Sequence, residues 1–153
     1  MRKMFLIIVC ILVISCLGQP CMATSLSTED EVIIHQSYET LENGITVTSV
    51  ISTSATEARG VTKAYTKKTT FTREGITIAE IWIDATFRYD TQTVSVVSKS
   101  ISKCETYNGW SFKQSSFTSA GGTVTLSGKL TKLLVLNANV NISLTCDKNG
   151  NIS

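Results

Sequence analysis

The sequence predicts an all-β fold: a single antiparallel β-sandwich, or an open barrel, of about seven to eight strands closed by one disulfide. Three observations predict it. The chain is rich in Thr, Ser, Val and Ile and has one proline, Pro20. Such branched side chains lose rotamer freedom in helices and fit pleated, half-buried surfaces. Long runs alternate with a period of two, and Gly- or Asn-containing turns separate them at short intervals.

The clearest run is Gly75 to Tyr89. Ala79, Ile81, Ile83, Ala85, Phe87 and Tyr89 share one face, while Glu80, Trp82, Asp84, Thr86 and Arg88 share the other. This pattern is that of a strand with a core side and a wet side. The second run places Leu134, Leu136, Ala138, Val140, Ile142, Leu144 and Cys146 on one face, with Asn137, Asn139, Asn141 and Ser143 opposite. No 3.6-residue period reproduces either pattern.

Turn chemistry supplies the remaining boundaries. Asn43-Gly44 sits between Ser37–Leu41 and Ile45–Ser52, and both residue types tolerate positive φ in a hairpin. Arg73-Glu74-Gly75 joins Val61–Thr72 to the Ile76–Tyr89 strand. Asp90-Thr91-Gln92 precedes Thr93–Lys103, and Tyr107-Asn108-Gly109-Trp110 is a second Asn-Gly turn. Ser119-Ala120-Gly121-Gly122 precedes Thr123–Leu130. In Ser27–Leu41, Thr28-Glu29-Asp30-Glu31 would make a capping box for a short helix; a loop or one helical turn leading into a strand is the preferred reading. No repeat of 20–50 residues is present.

The N-terminus reads as a secretory signal. Arg2 and Lys3 precede an apolar run from Met4 to Leu17, and Gly18-Gln19-Pro20-Cys21-Met22-Ala23 ends in a small residue. The run is shorter than the roughly 20 residues a membrane-spanning helix needs. Cleavage after Ala23 divides the chain into a signal peptide (1–23), an acidic N-terminal segment (24–40) and the sandwich domain (41–153). It also removes Cys10, Cys16 and Cys21 and leaves Cys104 and Cys146, an even pair. The alternative is a lipoprotein-like box at Val13-Ile14-Ser15-Cys16, with the protein anchored through acylated Cys16; it would leave Cys21 unpaired in an oxidising compartment. Pairing Cys104 with Cys146 would close a loop of roughly 43 residues, for about 4 kcal/mol in the chain-entropy model.

Charge limits the partners. The chain carries 14 Lys and Arg against 12 Asp and Glu. Without Arg2 and Lys3 the balance is even, which lacks the basic field of a nucleic-acid binder. Glu29, Asp30, Glu31, Glu39, Glu42 and Glu57 come before any cation up to Arg59, while Lys63, Lys67, Lys68 and Arg73 follow. This asymmetry suits either two solvated surfaces or an acidic N-terminal segment packed beside basic strands.

Candidate chemistry is sparse. His35 is the one histidine, so neither a Ser-His-Asp site nor a zinc site has its ligands. No Gly-x-Ser-x-Gly elbow exists. Asp147-Lys148-Asn149-Gly150-Asn151 has calcium-loop spacing only in part and reads better as a polar turn. Glu80 and Asp84 share a strand face about 13 Å apart, beyond either glycosidase geometry. No catalytic residue, metal site or cofactor is assigned. Trp82 stands on an otherwise polar face, and Tyr107 and Trp110 flank a turn. These three are the candidate ligand-binding residues, for a glycan or peptide; the competing reading buries Trp82 under another part of the fold. Asn141-Ile142-Ser143 and Asn151-Ile152-Ser153 match the glycosylation acceptor, which matters only in a eukaryotic secretory pathway.

Four stretches carry a resemblance: Thr40-Leu41-Glu42-Asn43-Gly44-Ile45, Ile83-Asp84-Ala85-Thr86-Phe87-Arg88-Tyr89-Asp90, the Tyr107–Trp110 turn, and Leu144-Thr145-Cys146-Asp147-Lys148-Asn149-Gly150-Asn151. In these the chain resembles a loosely defined group of small, uncharacterised exported β-rich proteins of Gram-positive bacteria. The resemblance implies a secreted β-domain and carries over no activity. The expectation is a secreted, non-catalytic domain that binds an extracellular ligand. The alternatives are an exported toxin or bacteriocin-like factor, or a secreted hydrolase acting on polysaccharide.

Overall fold

A computed structural model describes residues 31–54, 62–133 and 135–153. Among the described residues the fold is all-β, with eight antiparallel strands in two sheets and no closed barrel. Five strands form a meander in the order β1 (Glu31–Thr40), β2 (Ile45–Ser54), β3 (Thr62–Arg73), β4 (Ile76–Tyr89) and β5 (Val94–Thr106). The second sheet is the meander β6 (Ser111–Ala120), β7 (Thr123–Lys132) and β8 (Leu136–Thr145). The predicted signal peptide, with Cys10, Cys16 and Cys21, lies outside the described residues, as do Thr28, Glu29, Asp30 and Leu134. Among the described residues no helix is long and apolar enough to cross a membrane.

Period-two alternation builds the core. On β4, Ala79, Ile81, Ile83, Ala85 and Phe87 are buried, and on β8 Ala138, Val140, Ile142 and Leu144 are buried, with Cys146 just beyond. These two rows and Ile51, Tyr65, Phe71, Leu126 and Leu130 join in one apolar cluster between the sheets. Each fully buried Ile, Leu or Phe contributes roughly 1.5–3 kcal/mol relative to exposure.

The turns follow their chemistry. Asn43 and Gly44 have φ of 70° and 68°, the positive pair that matches the twist of the hairpin between β1 and β2. The Tyr107–Trp110 turn does something the same dipeptide does not announce. It carries the chain from β5 of one sheet to β6 of the other. Its start is held by Tyr107 N–H donating to Ile78 O (2.9 Å), and Asn108 Nδ2 donates to Thr77 O (3.2 Å).

Two expectations are corrected. Glu31–Thr40, read as a loop or helical turn leading into a strand at Ser37–Leu41, is strand throughout, so the larger sheet takes in residues assigned ahead of the boundary at 41. Cys104 and Cys146 are both free thiols. Cys104 sits opposite Ile81 near the end of β5. Cys146 is at the other end: its carbonyl and the Val94 methyls crowd the same glycine, Gly122. From Val94 to Cys104 the strand runs roughly 30 Å, whereas a disulfide needs Cα atoms within about 7 Å. The last strand is tied by main-chain bonds instead. Cys146 N–H donates to Gly122 O (2.8 Å), and Thr145 and Ser153 exchange two hydrogen bonds.

Candidate functional site

Outward side chains of the five-stranded sheet form rows across the strands. In one row Lys68 of β3 and Lys103 of β5 lie opposite Trp82 of β4, one on each side. Their ammonium groups stand 5.0 and 4.7 Å from the indole centroid, at cation–π distance. Each lysine has its own carboxylate. Lys68 pairs with Glu31 at 2.5 Å, and Lys103 pairs with Glu80 and, at 3.3 Å, with Glu105. Tyr107 donates its hydroxyl to Glu105 (2.6 Å) and Glu80 (3.1 Å).

This network moves the ionisations as expected for paired groups. Lys68, then Ser52, hold Glu31 below the usual carboxylate range. Lys103, and after it Tyr107, does the same to Glu80. Tyr107 and Lys103 lower Glu105. The Glu105 carboxylate pushes the Tyr107 phenol up to about 12, and Glu80 raises Lys103.

Next to the Trp82 row lies a shallow trough of about 520 Å³. It exists because two adjacent rows are small. Ser52, Thr66, Asp84 and Ser100 lie opposite one another across β2 to β5, and Ala64, Thr86 and Ser98 form the next row. Thr66 donates its hydroxyl to Asp84 Oδ1 (2.7 Å), and Ser52 donates to Glu31 at the trough's rim. The surface therefore presents hydroxyls and two carboxylates, which can donate to and accept from a polyhydroxylated ligand.

The sequence candidates separate here. Trp82 is half-buried on the polar face, but an ammonium stands beside the ring from each neighbouring strand. Its row lies beside the trough without lining it, and the flanked ring is not an open stacking platform. Tyr107 joins the same ionic network. Trp110 is buried, 6% exposed, in the core and belongs to no outer surface. His35 lies exposed on the edge strand β1. Glu80 and Asp84 share the outer face as read, each already engaged, Glu80 by Lys103 and Asp84 by Thr66. The Glu31–Lys68 pair links β1 to β3 across β2.

Asp147 is consumed by its own turn. It accepts from Asn149 N–H, Asn151 N–H and Asn151 Nδ2, each at 2.8 Å, and these bonds hold its carboxyl below the usual range. Among the described residues no group of three His, Cys, Asp or Glu side chains converges as a metal site would require. Two residues went unread in the sequence. The trough residue Ser52 had no signal, because its row partners are scattered along the chain. Lys67 had one: in the Lys67-Lys68 doublet, strand alternation must turn one of the two inward. No protein-family model matches the chain, and no match was found among the curated proteins or the solved structures.

Proposed function

We propose that this chain is an exported, non-catalytic β-domain that acts by binding, and that the outer face of its five-stranded sheet recognises a polyhydroxylated ligand such as a glycan. The observation that carries the reading is the trough of small hydroxyl side chains, with Asp84 at its centre and Glu31 at its rim, beside the row formed by the Lys68–Trp82–Lys103 ladder. A sheet face whose only role was to meet water would have no need of two adjacent rows without a long side chain. The basic start and apolar run of residues 1–23 support export, with Thr24 as the first residue of the mature protein.

A glycan array probed with the protein recovered from culture medium tests the reading. A bound glycan should lose at least tenfold in affinity with Thr86→Trp, which fills the trough, and with Asp84→Ala, while far-ultraviolet circular dichroism stays unchanged. Affinity unaltered by both substitutions, or no glycan bound at all, would sink this assignment. The intact mass of the same sample reads the N-terminus, and a mass carrying lipid on Cys16 would replace free secretion by anchoring.

A further inference from the structure

We infer that the free edge of β8 takes up an extended peptide as a fourth strand of the smaller sheet, with an acidic group of that peptide meeting Lys67. The site lies between the sheets, on the opposite side of the five-stranded sheet from the trough, and stands independently of it.

Main-chain directions locate the free edge. Cys146 donates to Gly122 on the β7 side, whereas Thr145 exchanges hydrogen bonds with Ser153 on the other side (2.8 and 2.9 Å). The β7–β8 register has no shift, so Ser143, Asn141, Asn139 and Asn137 turn their N–H and C=O groups to that same open side. Both ends of this stretch are capped by the larger sheet. Lys67 Nζ donates to Ser143 O (2.6 Å), and Asn43 Nδ2 donates to Asn137 O (3.0 Å). Between the caps, among the described residues, no main-chain hydrogen bond reaches Asn139 or Asn141 from the open side. A row of unpaired main-chain groups is a template for strand addition.

The space beside that edge is formed. A cavity of about 370 Å³ lies between Asn139 and Asn141 of β8 and the inner faces of β1, β2 and β3. A second, about 290 Å³, shares Leu41 and Asn139 with it and continues to Asn137. Five strands cover three, so β1 and β2 overhang the lane, and all ten residues of β1 are exposed. The stretch from Ser143 to Asn137 is roughly 20 Å long, room for about six extended residues.

A second copy of the chain does not fit. Its β8 would arrive already covered by its own larger sheet, which would collide with β1 and β2. The occupant is a strand without a sheet attached. Its chemistry follows from the walls. Val47, Leu41 and Phe71 offer an apolar contact to one inward side chain. Lys67 has no carboxylate at ion-pair distance among the described residues, and burial alone holds its pKa below the ordinary value. An acidic group would complete it. Glu39 lines the same cavity at the level of Phe71, four positions along β3, and favours a basic group there.

The test is amide hydrogen exchange by NMR on the whole protein, with and without a pool of capped six-residue peptides. The peptides alternate Thr and Val and carry Asp at one end and Lys at the other. Alone, the Asn139 and Asn141 amides should exchange quickly; with the pool they should slow at least tenfold. Lys67→Gln should weaken binding at least fivefold. Replacing Asp by Asn in the pool should do the same, and peptides methylated on alternate amides should not bind; neither change touches the fold of the protein. The inference fails if the two amides are already protected in the protein alone, if the pool protects only β1, or if it protects nothing. It also fails if concentration-dependent dimerisation, read by sedimentation, gives the same protection without peptide.

Discussion

Lys67 of β3 reaches across the sandwich and donates to the main-chain oxygen of Ser143 on β8, at 2.6 Å. Lys99 of β5 does the same to Phe117 O of β6, at 2.8 Å. Lys67 and Lys99, two of the inward lysines of the larger sheet, thus each serve a carbonyl on an outer strand of the smaller one. Neither apolar packing nor ladder hydrogen bonds would satisfy those carbonyls, so the lysines act as pins between sheets that share an otherwise oily core.

The Lys67 pin leaves a signature in alkali. Burial lowers its pKa in the native state, so the unfolded chain binds more protons just below the ordinary lysine value of about 10.4. Native stability attributable to this group therefore rises with pH through that window. Lys67→Met keeps the aliphatic stem and drops the charge; it should change stability at pH 7 by no more than about 1 kcal/mol. In urea unfolding from pH 8 to 10.5, the stability difference between parent and variant should shift in the parent's favour as pH rises, whatever slope the other titrating groups give both curves. Parallel curves would refute the assignment.

At acid pH the outer face governs. Glu31 and Glu80 are held below their ordinary values by Lys68 and Lys103. Their contribution is fully present above the unfolded value of about 4.3 and is lost as pH falls through the lower native values. Glu80→Gln should cost roughly 0.2–1 kcal/mol at pH 7, the range of partly exposed pairs. It should also flatten the fall of stability between pH 4.5 and pH 2.5, as followed by thermal melts. An unchanged acid limb would mean that the pair contributes nothing in solution.

Much of the fold was legible because burial imprints alternation. Ile81, Ile83 and Phe87 on β4, and Val140, Ile142 and Leu144 on β8, announce both the strands and their inner faces. The first part of β1, residues 31–36, hid for the reverse reason. β1 is exposed on both faces, and its strand is made by pairing with β2 through the Asn43-Gly44 turn, so no inward period marks it. The trough was illegible because Ser52, Thr66, Asp84 and Ser100 meet only through register across four strands. Trp110 was misplaced because parity is not defined inside the turn that switches sheets. Parity put Cys146 inward correctly, but it says nothing about which end of a strand a cysteine occupies, and that decides whether Cys104 can reach it.

The cysteines should therefore behave as two separate thiols. Burial raises the pKa of both, yet Cys104 is exposed and Cys146 is not. Under native conditions at pH 8, iodoacetamide should label Cys104 first and Cys146 only as the protein unfolds. Cys104→Ser should leave stability within about 0.5 kcal/mol, as is usual for an exposed position. Peptide mapping of unreduced protein decides it: a Cys104–Cys146 cross-linked peptide would overturn the arrangement of β5 and β8.

The junction at Gly122 should be a sensitive point in the smaller sheet. A Cβ there would lie 2.2 Å from Cys146 O and 2.7 Å from a Val94 methyl, and Gly122 O accepts the hydrogen bond that ties Cys146. The backbone has nowhere to give, because Cys146 is also held by the pairing of Thr145 with Ser153. Gly122→Ala should cost at least the ~1–3 kcal/mol of an overpacked core, and more if the Cys146 bond is lost. Gly121 next to it makes the control. Its φ is +54° but nothing lies within 4 Å of a Cβ, so Gly121→Ala should cost only the left-handed backbone penalty of about 1–2 kcal/mol. Chemical denaturation of the two variants side by side compares them. If Gly121→Ala is the more damaging, the contact between the β8 end and Val94 is not the tight one described.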